Sequence, residues 1–351
     1  MDVLIAQSAH WLLALVPVLV LLGVFAWLDA FALMRPRELA LLLALGGLGA
    51  VAAYPVSGRM LDTLPIGFSN YSRFIAPWIE EAIKGVIVVV LFRLNRIGYK
   101  LDAVLTGFAI GAGFSVVENI FYLTFFPQYG TGTWLVRGFG TALMHGTTTA
   151  LFAAFAHELA ERESREAAGE FDFRWWWFVP GYIVAVLLHM AFNQFPERPL
   201  TAMMGALVVT PIAIMFIFHF GQAEAAEWLE QDKAEHKKML KALESGGWPS
   251  GASGKKIAVL ARRLGPEAEE RIRSYCRTLA WLTVEAEETM LEESGGDVEM
   301  NRSKVAAAFA ELDRLRAALG RSTFAALKPL LPFSRNDQWE VAELRQRVGR
   351  V

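Results

Sequence analysis

Through roughly the first 220 residues, apolar side chains come in long blocks without the strict alternation of a half-buried strand. The blocks cover about residues 11–33, 38–56, 74–94, 101–126, 134–156, 175–195 and 200–220. Each approaches the roughly 20 residues that an α-helix needs to cross a bilayer. The pattern predicts an all-α, polytopic transmembrane bundle of seven spans. Short polar stretches separate the blocks: Arg35-Pro36-Arg37, a Gly/Pro/Ser-containing loop over 57–73, a basic turn over 93–100, residues 127–133, a charged loop over 157–174, and a tight turn over 196–199.

Beyond Gly221 the pattern becomes that of a soluble helical protein. Residues 222–244 read as an alanine-rich charged helix, and 245–251 (Ser-Gly-Gly-Trp-Pro-Ser-Gly) as a linker. Helices are expected over 255–264, 266–293, 297–319 and 337–348, with Asp337 and Glu340 spaced as a capping box. Ile272, Tyr275, Cys276, Leu279 and Leu282 recur at helical spacing and predict a bundle core. Three parts follow: a membrane domain over 1–221, a charged helix and linker over 222–254, and a cytoplasmic helical domain over 255–351.

Charge sharpens this division. Residues 1–221 carry 13 Lys+Arg and 15 Asp+Glu, whereas 222–351 carry 21 of each. The overall balance of -2 lacks the clustered basic excess of a nucleic-acid binder. Arg35, Arg37, Arg93, Arg96, Lys100, Arg162, Arg165 and Arg174 fall on one side of the spans, against Arg59, Arg73 and Arg198 on the other. By the positive-inside rule the N-terminus is outside and the tail cytoplasmic. Trp11, Trp134 and Trp175-Trp176-Trp177 lie at span ends, as in an aromatic belt. The first block has no basic segment before it and reads as a retained span. Cys276 is the single cysteine, so neither a disulfide framework nor a thiolate metal site is expected.

The candidate chemistry lies in polar residues inside the blocks. A charge at mid-bilayer costs about 2.5–3.5 kcal/mol on insertion scales, so such residues mark function. The third block carries Glu80 and Glu81, with Lys84 within one helical turn of both. The fourth carries Phe114, Glu118 and Asn119 after Gly107, Gly111 and Gly113, small residues that let helices approach closely. The fifth carries His145, and the sixth His189 with Asn193 one turn later. A structural ion pair at Glu80/Glu81–Lys84, Glu118 paired with Lys84 or Arg137, and interhelical hydrogen bonds at the histidines are the bland alternatives. One shared polar site explains all four spans together. Two carboxylates in unequal surroundings can divide acid and base roles, and imidazole and amide donors can stabilise an oxyanion. His10, His219 and His236 are expected to be interfacial or solvated. His157-Glu158 is not a metalloprotease helix motif, because residue 161 is Glu.

Glu80-Glu81-x-x-Lys84, Phe114-x-x-x-Glu118-Asn119, His145 and His189-x-x-x-Asn193, in this order, resemble the PrsW family of intramembrane proteases, distant relatives of the CAAX-type prenyl-protein endopeptidases. The resemblance covers about residues 70–220. It implies cleavage of a membrane protein such as an anti-sigma factor. It also implies Glu80 as base and His189 with Asn193 as oxyanion donors. Glu118 stands where the CAAX-type relatives have a histidine, which leaves His145 as the candidate water-activating histidine.

The reading is therefore an intramembrane endopeptidase, with a proton- or solute-coupled transporter and a non-catalytic scaffold as rivals. A membrane protein substrate, the lipid bilayer and a cytoplasmic partner of the tail are the expected partners, and nucleic acid is not. Glu118, His145 and His189 offer an alternative zinc ligand set. Without an H-E-x-x-H pair, and with Glu80/Glu81 beside Lys84, a metal-free mechanism is the expectation.

Overall fold

The computed structural model describes residues 2–27, 34, 36–166, 173–194, 199–293 and 302–349. The expected loop position Arg35, most of the 157–174 loop's far half and the turn at 196–198 lie outside these residues, as do residues 28–33 of the first block. Among the described residues every regular element is a helix. The chain forms two compact units, Met1–Ala160 with Arg174–Gly221, and Glu161–Phe173 with Gln222–Val351.

The first unit is built from α1 (Asp2–Trp27), α2 (Pro36–Thr63), α3 (Gly67–Phe74), α4 (Ala76–Arg93), α5 (Lys100–Phe125), α6 (Thr131–Val136), α7 (Ala142–Glu166), α8 (Phe178–Asn193) and the start of α9 (Pro199–Glu244). A π-helical turn, Arg137–Thr141, joins α6 to α7, and a 3-10 turn, Trp175–Trp177, leads into α8. Among the described residues, three stretches are long and apolar enough to cross a membrane: Pro36–Thr63, Lys100–Phe125 and Trp175–Asn193. The segment expected as a loop over 57–73 is mostly helical. Pro55 removes one backbone donor without ending α2, which runs on to Thr63, and α3 takes most of the rest.

Helix α5 is the centre of this unit. It is apolar on all sides, and every residue from Leu101 to Ser115 is buried, as expected of a helix enclosed by others. Two glycines set its spacing. A Cβ on Gly111 would overlap the His145 carbonyl of α7, and one on Gly113 the Leu43 carbonyl of α2. Backbones therefore touch on two sides, which brings Glu118 of α5 beside His145 of α7. The outward faces are apolar: Leu12, Val16 and Leu19 on α1, Leu41, Leu48 and Val51 on α2, Val86 and Val90 on α4, and Leu187 on α8 are all exposed. Helix α4 turns Glu81 and Lys84 inward beside Val88 and Phe92, and leaves Val86 and Val90 outside. Two tryptophans depart from the expected belt. Trp134 and Trp177 are fully buried, and the Trp134 indole donates to the Tyr129 carbonyl at 3.0 Å. A partner for the N–H lets the indole enter a core.

The second unit contains the end of α9, α10 (Gly251–Leu264), α11 (Pro266–Glu293), α12 (Arg302–Leu327) and α13 (Arg335–Val348). Gly265, in the left-handed region at φ 92°, ends α10, and Pro266 opens α11. The expected α11 stripe is core: Ile272, Tyr275, Cys276 and Leu282 are buried, and Leu279 packs against them. Leu240 and Leu243 of α9, and Trp248 of the short connection, pack into the same core.

The start of α13 with its capping box, and the surroundings of His236, differ from expectation. Helix α13 starts two residues before the expected position. Its capping box is Ser334 with Asp337, because Ser334 accepts from the Asp337 N–H at 3.1 Å while Asp337 accepts from the Ser334 N–H at 2.6 Å. Asp297, the expected start of α12, lies outside the described residues, and α12 is described from Arg302. His236 is buried rather than solvated. Burial opposes its charge, but the Asp337 and Glu287 carboxylates at its two ring nitrogens outweigh that and push its pKa up to about 10. Burial pushes the Cys276 thiol up to about 12, so it is an inert core side chain.

Candidate active site

Pro77 lies in the first turn of α4, where its missing N–H costs no helical bond. From there Glu80 and Glu81 project about 100° apart, and the structure gives them different tasks. Glu81 is buried, and its Oε1 accepts from Lys84 Nζ at 2.7 Å, His189 Nδ1 at 2.8 Å and Thr148 Oγ1 at 3.2 Å. This oxygen gathers α4, α7 and α8 at one point. Glu80 is partly exposed, with Oε2 3.8 Å from His189 Nε2.

The hydrogen bonds assign the proton on each imidazole. A carboxylate accepts, so His189 donates from Nδ1 to Glu81, and its Nε2 faces Glu80. At His145 the order is reversed. Lys84 Nζ lies 3.0 Å from Nδ1 and can only donate, so the proton is on Nε2, 3.1 Å from Glu118 Oε2. Lys84 is thus a fully buried ammonium held between Glu81 and His145, 5.2 Å from the centre of the Phe114 ring. The two imidazoles stand nearly perpendicular, with ring centres 4.9 Å apart.

Glu118 has a second partner that the sequence offered only as an alternative. Arg137 Nη2 is 3.1 Å from Glu118 Oε2, and the guanidinium lies 3.6 Å over the Tyr122 ring. Arg137 sits on the π-helical turn, where the extra residue per turn redirects side chains. Asn119 fixes that turn. Its amide donates to the Ala14 carbonyl at 2.8 Å and the Arg137 carbonyl at 3.2 Å, and its oxygen accepts from Arg137 Nε at 3.1 Å. Asn193 is tied elsewhere, donating to the Ser72 carbonyl of α3 at 2.9 Å.

Of the nine residues singled out in the sequence, Glu80, Glu81, Lys84, Phe114, Glu118, His145 and His189 form one connected cluster. Asn119 braces it, and Asn193 joins α8 to α3 beside it. Thr148 belongs to the cluster without having been a candidate, and Arg137, offered only as a structural partner of Glu118, belongs to it as well. An arginine inside an apolar block was the available signal for the second, whereas a threonine among three, Thr147 to Thr149, gives none.

Glu80, His145 and His189 each offer a ligand atom, all within 4.8 Å of one another. A carboxylate with two imidazoles is a hydrolytic zinc donor set. The bond from His189 Nδ1 to Glu81 is the outer-shell carboxylate contact that orients metal-binding histidines. Glu80 and His189 are placed to ligate a divalent ion, and His145 would join them once its bond to Lys84 or Glu118 opens. The set contains Glu80 where the sequence suggested Glu118, which instead hydrogen-bonds to His145.

No curated protein and no solved structure matches the chain. The family model described as PrsW family intramembrane metalloprotease matches residues 35–220, more than half of the chain, and so contains every member of this cluster. With crossing-length apolar helices around a buried carboxylate–histidine cluster, this membrane protein belongs to the PrsW family of intramembrane proteases.

Proposed function

We propose that the chain is an endopeptidase that hydrolyses a peptide bond of a membrane protein, of the anti-sigma-factor kind, with water activated at Glu80, His145 and His189. The observation that supports this most is the division between the adjacent glutamates. Glu81 is held by three donors, while partly exposed Glu80 has a single ion-pair contact among the described residues, to His189 Nε2 at 3.8 Å. Glu80 takes a proton from the attacking water and returns it to the leaving amine as the amide bond breaks. Glu81 fixes the tautomer and angle of His189, and Lys84 does the same for His145. Arg137 holds Glu118 against His145. One Asn193 N–H donates to the Ser72 carbonyl, so its second N–H is the donor left for an oxyanion, whereas the His189 Nδ1 proton is engaged by Glu81.

Glu80, His145 and His189 would hold a divalent ion. Such an ion supplies Lewis acidity toward the scissile carbonyl and lowers the pKa of water. The metal-free reading is favoured by one observation: both ring nitrogens of His145 are already engaged, by Lys84 and Glu118. Elemental analysis of purified protein separates the two. The metal reading expects a divalent ion that is lost in Glu80→Gln and His189→Gln, with cleavage abolished by chelation and restored by Zn2+. Full cleavage after exhaustive chelation establishes the metal-free form.

The proposed topology is seven spans, with the N-terminus outside and a soluble cytoplasmic tail, as the distribution of basic loops supports. Native Cys276 is too buried to report it. Glu267 is 87% exposed, so Glu267→Cys offers a usable thiol. A membrane-impermeant maleimide should label this variant only after cells are opened. Labelling in intact cells reverses the orientation.

A further inference from the structure

A second buried cluster lies in the second unit. His236 of α9 contacts Glu287 of α11 through Nδ1 at 2.5 Å, and Asp337 of α13 through Nε2 at 3.5 Å. All three residues are buried, and their ligand atoms lie within 4.8 Å of one another. The Phe333 ring stacks on the imidazole at 5.8 Å and helps close the site.

This arrangement is more than a histidine held between two acids. The second Glu287 oxygen, Oε2, is buried without a hydrogen-bond partner. Leaving such a group unsatisfied costs about 1–3 kcal/mol, more when it is charged. Lys233 contributes positive charge at Glu287. The His236 imidazole thus lies between two buried carboxylates, one of which keeps an unpaired oxygen.

We propose that His236, Glu287 and Asp337 form a metal site that holds one divalent first-row transition ion, Zn2+ or Mn2+, in a structural role. One imidazole with carboxylate oxygens suits these ions. On binding, the ion enters and the His236 ring releases a proton, so the imidazole ligates as a neutral donor. The ion occupies the centre of the acidic cluster, and Glu287 Oε2 gains a partner. The ligands come from three helices far apart in sequence, so the ion staples α9, α11 and α13 together. This inference does not rest on the proposed membrane site.

The test uses the full-length chain in detergent with the membrane site disabled, Glu80→Gln/His189→Gln, so that its outcome is independent of that site. The protein is stripped with chelator and dialysed against Zn2+ or, separately, Mn2+. One ion per chain is expected to remain, and adding Glu287→Gln should weaken its binding at least about 100-fold. X-ray absorption of the loaded double variant, which needs no change in the tail, should show one imidazole in an oxygen-rich shell. Absence of bound ion overturns the proposal, as does retention unaffected by Glu287→Gln or a shell with two or more imidazoles.

Discussion

Glu80→Gln is expected to lower cleavage by about 10²–10⁴-fold, the usual effect of removing a positioned base. Its effect on stability should be clearly smaller than that of Glu81→Gln, because Glu80 has only a 3.8 Å contact to His189 Nε2. Glu81→Gln, one residue on, should fail differently. The amide cannot replace a carboxylate that accepts from Lys84, His189 and Thr148. Lys84, fully buried, loses its counter-charge, and His189 loses the bond that sets its tautomer. Cleavage and stability should fall together. Thermal unfolding in detergent, beside the cleavage rate of a reconstituted substrate, checks both. Equal destabilisation by the two substitutions would contradict the division of roles.

Lys84→Met should destabilise the first unit by about 3–5 kcal/mol, the cost of stranding a buried carboxylate without its partner. Glu81 has no solvent to turn to, being 2% exposed. Lys84→Met/Glu81→Gln removes both charges, so it should recover more than half of that stability while cleavage remains lost. A merely additive double variant would mean that Lys84 acts through His145 or packing rather than through Glu81. The cycle is read by equilibrium unfolding in mixed micelles, where coupled neighbours depart from additivity by about 0.5–3 kcal/mol.

Much of this cluster was legible because a bilayer punishes charge. Glu80, Glu81, Lys84, Glu118 and His145 stand out in apolar blocks for that reason alone. Their partners were less legible. Which of two adjacent glutamates turns inward depends on rotation of α4 about its axis, and charge spacing does not fix it. The role of Arg137 depends on a π-helical turn, which leaves no periodic signal over five residues. Asn193 and His189 share a helix face, yet one meets Ser72 and the other Glu81, because α3 and α4 lie at different depths along α8. The loop expected over 57–73 from its Gly, Pro and Ser content is mostly helix, because Gly58 is tolerated inside α2 and Pro65 falls in the short turn before α3. His236 lies outside the spans and is expected to be solvated on that ground, and only the fold brings Glu287 and Asp337 to it.

Intramembrane cleavage is tested most directly by comparing protein N-termini in membranes from cells lacking this protein, complemented with wild type or with Glu80→Gln. At least one new N-terminus, within or next to a transmembrane segment, should appear with wild type and be absent with Glu80→Gln at equal protein level. Identical N-terminal profiles for the two, with both proteins inserted and folded, would contradict it.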